Sequence, residues 1–329
     1  MTTYLIRRIL LMVPTLFGIT LLTFLLLRLS PINPALAKGA GSAEGGHAMT
    51  AQQREDMIKF YGLDKPAWEA YFIWLGKVLH GNLSDSFVDS RPVVDKISER
   101  MGLTISITGS ALIISYLIAI PLGVLAAIKR GQILDRSISF AVFLLYSIPS
   151  FVAALLLILL VAGGDYFNLL PMYGANSINA SAMGPFAWVW DRVIHMILPV
   201  ICLTYASLAS ISRYARVSML DALGQDFVRT ARAKGLPERL VIMRHALRNA
   251  LIPIITIFTL EVPVLISGAI IIESIFTLPG MGHLMFQSLD AGDYPVIMGL
   301  TLLIAIVTLV SYLLADILYA VVDPRITYE

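Results

Sequence analysis

The chain has 329 residues, of which 57% are hydrophobic and only 14% charged, and its mean hydropathy is +0.80. A water-soluble chain of this length carries roughly a quarter of its residues as charges and has too little interior to hide so much apolar side chain, so the solvent is lipid. A formal net charge of +2 is too small to select nucleic acid, and the single cysteine, Cys202, excludes an internal disulfide, a CxxC redox pair and a cysteine-based zinc site.

A helix crossing hydrocarbon needs about 20 mostly apolar residues, because only a helix satisfies its own backbone there. Six stretches meet that requirement. The first, Ile9 to Leu27, lies between Arg7-Arg8 and Arg28. Ala35-Leu36-Ala37 imitates a signal cleavage site, but the apolar run outlasts the roughly 7 to 15 residues of a signal core, which predicts a retained anchor. The segment from Ser30 to Met101 has balanced charges and contains a small, flexible tract from Gly39 to Gly46. It also has helical spacing in Gln52 to Tyr61 and in Trp68 to His80. Trp68, Tyr71, Phe72 and Trp74 suit two amphipathic helices that lie on the bilayer or cap the bundle.

The second and third spans are Leu103 to Ile128 and Ser137 to Ala162. Within the third, Tyr146, Ser147 and Pro149 fit either a cavity lining or ordinary packing at a kink. The fourth, Val193 to Ser212, opens near His195, which reads as a capped or interfacial residue. The fifth, Asn249 to Ile272, is interrupted by Glu261, and the sixth, Tyr294 to Val322, by Asp316. Ser267-Gly268-Ala269 reads as a point of close helix contact.

Positive charge sets the orientation. Lys129, Arg130 and Arg136 separate spans two and three, and eight Lys or Arg residues from Arg213 to Arg248 separate spans four and five. The remaining two loops offer only Arg192, so both termini and the two basic loops are predicted to be cytoplasmic, with 30–101 outside. The organisation is then 1–29 as tail and first span, 30–101 as external segment, and 102–329 as a five-helix core carrying the loop 213–248.

That loop contains a compact helical signal. Asp226 is a good N-cap, Gly235 a good stop, and Pro237 follows. Phe227, Thr230, Ala231 and Lys234 share one predicted face, Arg229 and Arg232 add charge, and the small Ala231 and Ala233 permit another surface to approach closely. A second helix starts near Pro237, with Arg244 and Arg248 one turn apart. They suit lipid phosphates, a partner's carboxylates, or topology alone.

The intramembrane charges are costly, at about 2.5 to 3.5 kcal/mol for a central carboxylate, which makes each a candidate for function. Two readings of Glu261 stand side by side. It faces the pathway and meets a cationic ligand group, or it is neutralised or paired with Arg28 or a polar group in the bundle. Glu273 and Asp316 lie nearer span ends, which favours structural roles, with Asp316 helping to close the bundle.

The loop sequence Arg229-Thr-Ala-Arg-Ala-Lys-Gly235, followed by His245-Ala-Leu-Arg-Asn-Ala-Leu-Ile-Pro253, resembles the coupling-helix region of ATP-binding-cassette importer permeases of the dipeptide, oligopeptide and nickel branch. Other similar segments are Tyr4-Leu-Ile-Arg-Arg8, Gly62-Leu-Asp-Lys-Pro66, Ile120-Pro-Leu-Gly123, Glu273-Ser-Ile-Phe-Thr-Leu-Pro-Gly280, Asp293-Tyr-Pro295 and Val322-Asp-Pro-Arg325, so the resemblance spans nearly the whole chain. The segment 162–171 and the C-terminal ending are similar to a sub-branch that imports microcin-type peptides. The general importer motif begins Glu-Ala-Ala where this chain has Thr230-Ala231-Arg232, so a salt bridge assigned to that Glu does not carry over.

The resemblance implies an all-α, six-span type I importer permease in a bacterial inner membrane, forming half of a path with a second permease subunit. One or two ATPase subunits would bind ATP and Mg and receive the coupling helix, and an external binding protein would deliver peptide. It also places Glu273 in a shared segment, at a possible outer gate. The chain itself has no GxxxxGK[ST] loop to hold ATP phosphates, so neither cofactor nor catalysis is expected in it. A nickel or metal-complex permease is the alternative within the branch. A secondary transporter would be expected to show inverted repeats, and a membrane enzyme converging nucleophile and base; neither pattern stands out here.

Overall fold

In hydrocarbon each backbone N–H must find its carbonyl within its own helix. The structure, a computed structural model that describes residues 2–29, 64–163 and 166–322, is accordingly helical throughout, with one isolated β-bridge between Asp85 and Pro92. The predicted Gly39–Gly46 tract and the Gln52–Tyr61 helix lie outside the described residues.

Helix α1 (Thr2–Leu29) is followed by α2 (Ala67–Leu79), α3 (Val93–Ile128) and α4 (Ile133–Ser147). Next come α5 (Ser150–Leu157), with a π-helical end at Ile158–Ala162, then α6 (Pro185–Leu223) and the short α7 (Asp226–Ala233). A π-helical stretch, Val241–Ala246, leads into α8 (Leu247–Ser267), and α9 (Ile270–Ile275), α10 (Met281–Ala291) and α11 (Tyr294–Val322) complete the chain. Among the described residues five helices are long and apolar enough to cross a membrane, or six when α4 and α5 count as one broken span.

Two spans depart from the expected straight helices. The third bends by 87° between α4 and α5, because Pro149 has no N–H to donate and pushes Ile148 to an extended ψ of 117°. The fifth ends at Gly268, whose φ of 74° a residue with a Cβ rarely adopts, and the chain resumes as α9. Gly268 is therefore a helix terminator rather than only a packing residue. Helices α3 and α6, at 36 and 39 residues, overrun the hydrocarbon, since each residue adds about 1.5 Å and the apolar layer is about 30 Å thick.

The centre of the bundle is the α3–α6 crossing. Thr108, Ala111, Ser115, Ala119, Gly123 and Ala127 recur every three or four residues on the buried side of α3, giving the small-residue stripe that lets membrane helices meet closely. Ser115 Oγ donates across the crossing to the Thr204 carbonyl at 3.0 Å. A Cβ on Gly123 would lie 2.5 Å from the Ser212 carbonyl oxygen and 2.6 Å from Ala215 Cβ. Gly123→Ala is therefore expected to cost about 1–2 kcal/mol by forcing the helices apart. Gly109→Ala on the same helix meets nothing within 4 Å and serves as the control. Thermal unfolding of the two purified variants compares them directly.

Helix α2 caps the rim. Tyr71 is buried against Phe17 and Phe24 of α1, and its hydroxyl shares a 2.9 Å hydrogen bond with Thr20. Of the four aromatics, Tyr71 and Trp74 turn inward, whereas Trp68 and Phe72 stay exposed. The neighbouring loop is tied to the start of α11. Buried Asp293 accepts from Ser86 Oγ at 2.5 Å and from Phe87 N–H at 2.9 Å, while Lys96 Nζ reaches Asp89 at 2.9 Å. Burial raises the Asp89 carboxyl, but hydrogen bonds from Lys96, Ser86 and the Arg91 N–H outweigh it and hold Asp89 below its ordinary value.

Candidate functional site

The α7 segment folds as a clamped, two-turn helix. Asp226 is its first helical residue and Gln225 takes the cap position without a side-chain bond, so Asp226 does not act as the N-cap. Its carboxylate instead lies at the positive helix end, 3.4 Å from Arg229. At the other end Gly235 adopts φ 73°, with its N–H donating to the Arg232 carbonyl at 2.9 Å, which is the glycine stop predicted from the sequence.

Two turns of helix are unstable alone, so α7 is held by what it buries. Val228 and Ala231 share one buried cluster with Met219 and Ala222 of α6, Val241 and Ala246 of the π-helical stretch, and Ala250 of α8. This revises the predicted face: Ala231 is small so that α7 can sit on its own chain, while Phe227, Thr230 and Lys234 are exposed. The outward surface comprises Phe227, Arg229, Thr230, Arg232, Ala233, Lys234 and Gly235. Phe227, an aromatic at 40% exposure among cations, is the apolar centre of that surface.

Sequence reasoning missed Glu238. It accepts from Arg232 Nη2 at 2.6 Å and Nε at 3.1 Å, bracing the turn at Gly235. Arg232 holds the Glu238 carboxyl below its ordinary value, although the pair is exposed and contributes little stability. An acid just after a glycine stop and a proline was the available signal.

The candidate pathway residues do not converge. Tyr146 lines a cavity of about 420 Å³ between α4 and α6, together with Ser139, Ser210 and Arg213, which the sequence did not single out. Ser147 is not part of that lining; its hydroxyl donates to the Phe143 carbonyl at 2.9 Å. Glu261 lies in a separate cavity of about 110 Å³ between α3, α6 and α8. Arg28 is not its partner, because the guanidinium donates to the Lys65 carbonyl.

Glu273 is closed off instead of lining a path. It is 2% exposed, and its carboxylate accepts from the Thr104 hydroxyl at 3.1 Å, the Ala269 N–H at 3.3 Å and the His283 N–H at 2.9 Å. Asp316 joins α11 to α1, accepting from the Tyr4 hydroxyl at 2.9 Å with Arg8 Nη2 at the same distance. His195 Nδ1 is 2.8 Å from the Asp191 carbonyl, an intrahelical contact at the start of α6.

Two family models cover nearly all of this architecture. Residues 119–328 match the binding-protein-dependent transport system inner membrane component, and residues 1–108 match the N-terminal membrane component of the same systems. The chain belongs to this family. It is 39% identical, over the full length of both chains, to the oligopeptide transport system permease protein AppB of Bacillus subtilis. It is 38% identical, again over full lengths, to the dipeptide transport system permease protein DppB of Escherichia coli K12. The di/tripeptide permease protein DppB of Pseudomonas aeruginosa is 35% identical over both full lengths. Among solved structures, the inward-facing MetNI methionine ABC transporter shares the fold, with a TM-score of 0.53 at 18% identity, covering 70% of this chain and 97% of that one.

The molecule is thus a multi-pass permease subunit of an ABC importer, in a family whose permeases work with ATPase subunits.

Proposed function

We propose that this permease forms half of a peptide translocation path. A second, different permease chain supplies the other half, an external binding protein delivers the peptide, and ATPase subunits dock on α7 from the cytoplasm, where both termini also lie. Peptide cargo rests on one observation above all: the full-length identity of 35–39% to permeases named for oligopeptides, dipeptides and tripeptides. The binding of ATP and Mg falls to the ATPase subunits, so this chain does not itself catalyse a reaction.

The geometry supports α7 as the lever. Val228 and Ala231 tie it into a buried cluster with α6 and the π-helical stretch that leads into α8, a route by which displacement of the exposed face would reach two spans. Phe227 and Ala233 are the residues to change, since neither is buried. Phe227→Asp combined with Ala233→Arg is expected to lower ATP-driven peptide uptake about tenfold in the reconstituted complex, as loss of an aromatic anchor does at protein interfaces. Thermal unfolding of the permease should stay at the wild-type temperature. Unaltered uptake with both changes in place would refute docking at this surface.

A further inference from the structure

A carboxylate in mid-membrane has three ways to exist: facing lipid, paired within the bundle, or facing a polar cavity. Lipid is excluded on cost. Among the described residues Glu261 makes neither a hydrogen bond nor an ion pair, which leaves the polar cavity as the arrangement the structure supports. It borders the small cavity between Thr108 and Leu112 of α3, Ser207 of α6 and Val264 of α8.

A second polar group is unsatisfied nearby. The hydroxyl of Tyr116, one turn beyond the cavity residue Leu112 on α3, is buried with no hydrogen-bond partner among the described residues. Phe258, one turn before Glu261, meets the Tyr116 ring edge-on at 5.6 Å and 88°. A buried hydroxyl without a partner costs about 1–3 kcal/mol, so this phenol, one turn from the cavity that Glu261 lines, marks a place that something polar completes. One carboxylate, one phenol oxygen and two aromatic rings are the groups that hold an organic cation, by charge pairing and by attraction to the ring faces. A cavity of about 110 Å³ has room for an ammonium head rather than a whole peptide. Helix α8 is also weakly enclosed, with 11% of its apolar window buried against 50% for α6, which leaves this side open to a path.

We propose that Glu261, Tyr116 and Phe258 form an ammonium-recognition point at the middle of the translocation path, where the cationic group of a passing peptide is held. This rests on the reading that the chain carries peptides. The ammonium comes from the amino terminus or from a basic side chain, and the cavity chemistry is the same for both.

Two measurements on the assembled importer test it. In the first, Ser207→Cys places a thiol in the cavity, and native Cys202 is fully buried and does not interfere. During turnover, a cationic methanethiosulfonate should modify this thiol about tenfold faster than an anionic one, and Glu261→Gln should bring the ratio close to one. A ratio that ignores Glu261→Gln overturns the site. In the second, uptake of trialanine and of trilysine is compared in the wild type and in Glu261→Gln. A loss of about tenfold on both assigns the amino terminus, and a loss on trilysine alone assigns the side chain. No loss on either overturns the proposal. A wild-type complex that hydrolyses ATP yet takes up neither peptide refutes the peptide reading, and the thiol ratio then decides the site by itself.

Discussion

Glu273→Ala should lower the stability of the purified permease by about 3–5 kcal/mol, because it leaves three donors without their acceptor at about 1–3 kcal/mol each. The carboxylate joins three elements at one point. Thr104 of α3 donates to Oε1 and itself accepts the Met281 N–H of α10 at 2.8 Å, while Oε2 takes the His283 N–H in the first turn of α10. Ala269 N–H, at the break between α8 and α9, donates to Oε1. Alanine would leave two backbone N–H groups and a hydroxyl buried without acceptors. The negative charge also sits at the N-terminus of α10, where the helix dipole favours it.

The site has been cleared for this group: a Cβ on Gly280 would stand 2.4 Å from Oε2, and one on Gly268 would stand 2.4 Å from Oε1. Glu273→Gln keeps the volume but turns an amide donor toward an N–H, and is expected to cost about 1–3 kcal/mol. Cys202 gives the readout. It is the only cysteine and is fully buried, so a thiol-reactive dye reports unfolding on heating. An alanine variant that melts with the wild type would show that the network contributes nothing.

The contrast between Glu261 and Glu273 explains what the sequence could and could not disclose. Each is a lone acid among apolar residues, and the sequence separates them only by position, Glu261 within a span and Glu273 at the end of one. The difference lies in Thr104, 169 residues earlier, and in backbone N–H groups that every residue except proline possesses. Spans were easier. The predicted Tyr294–Val322 matches α11 at both ends, because an apolar run interrupted only by Asp316 sets its length.

Pro149 and Gly268 were visible as residues, but their consequences depend on whether the neighbouring chain turns at them. The same holds for α7. Its extent follows from local chemistry at Gly235, whereas its buried side is fixed by Met219 and Val241, which lie outside the helix. Phe227 would ordinarily be placed inward by its hydrophobicity, and its outward position, which sequence periodicity alone does not give, is what the proposed docking of a partner would cover.

Asp135→Ala should cost about 3 kcal/mol, less than a fully enclosed pair would, because the Arg216 side chain is 29% exposed and can turn toward water. Arg216 of α6 grips Asp135 with both arms, Nε to Oδ1 at 2.8 Å and Nη2 to Oδ2 at 2.9 Å. Oδ2 also accepts the Gly131 N–H at 2.9 Å, so one carboxylate fastens the α3–α4 turn to the helix that carries α7. Removing the acid alone strands a guanidinium against the low-dielectric interior and frees the turn. Removing both charges is different, since an apolar pair of similar size avoids both desolvation costs. Asp135→Leu with Arg216→Met is therefore expected to melt within about 1 kcal/mol of the wild type, well above the single variant. The same comparison separates stability from coupling. If the double variant melts normally yet transports peptide poorly, the pair transmits motion from α7 to the α3–α4 turn. If it melts and transports like the wild type, the ion pair serves only to seat α6 on α4.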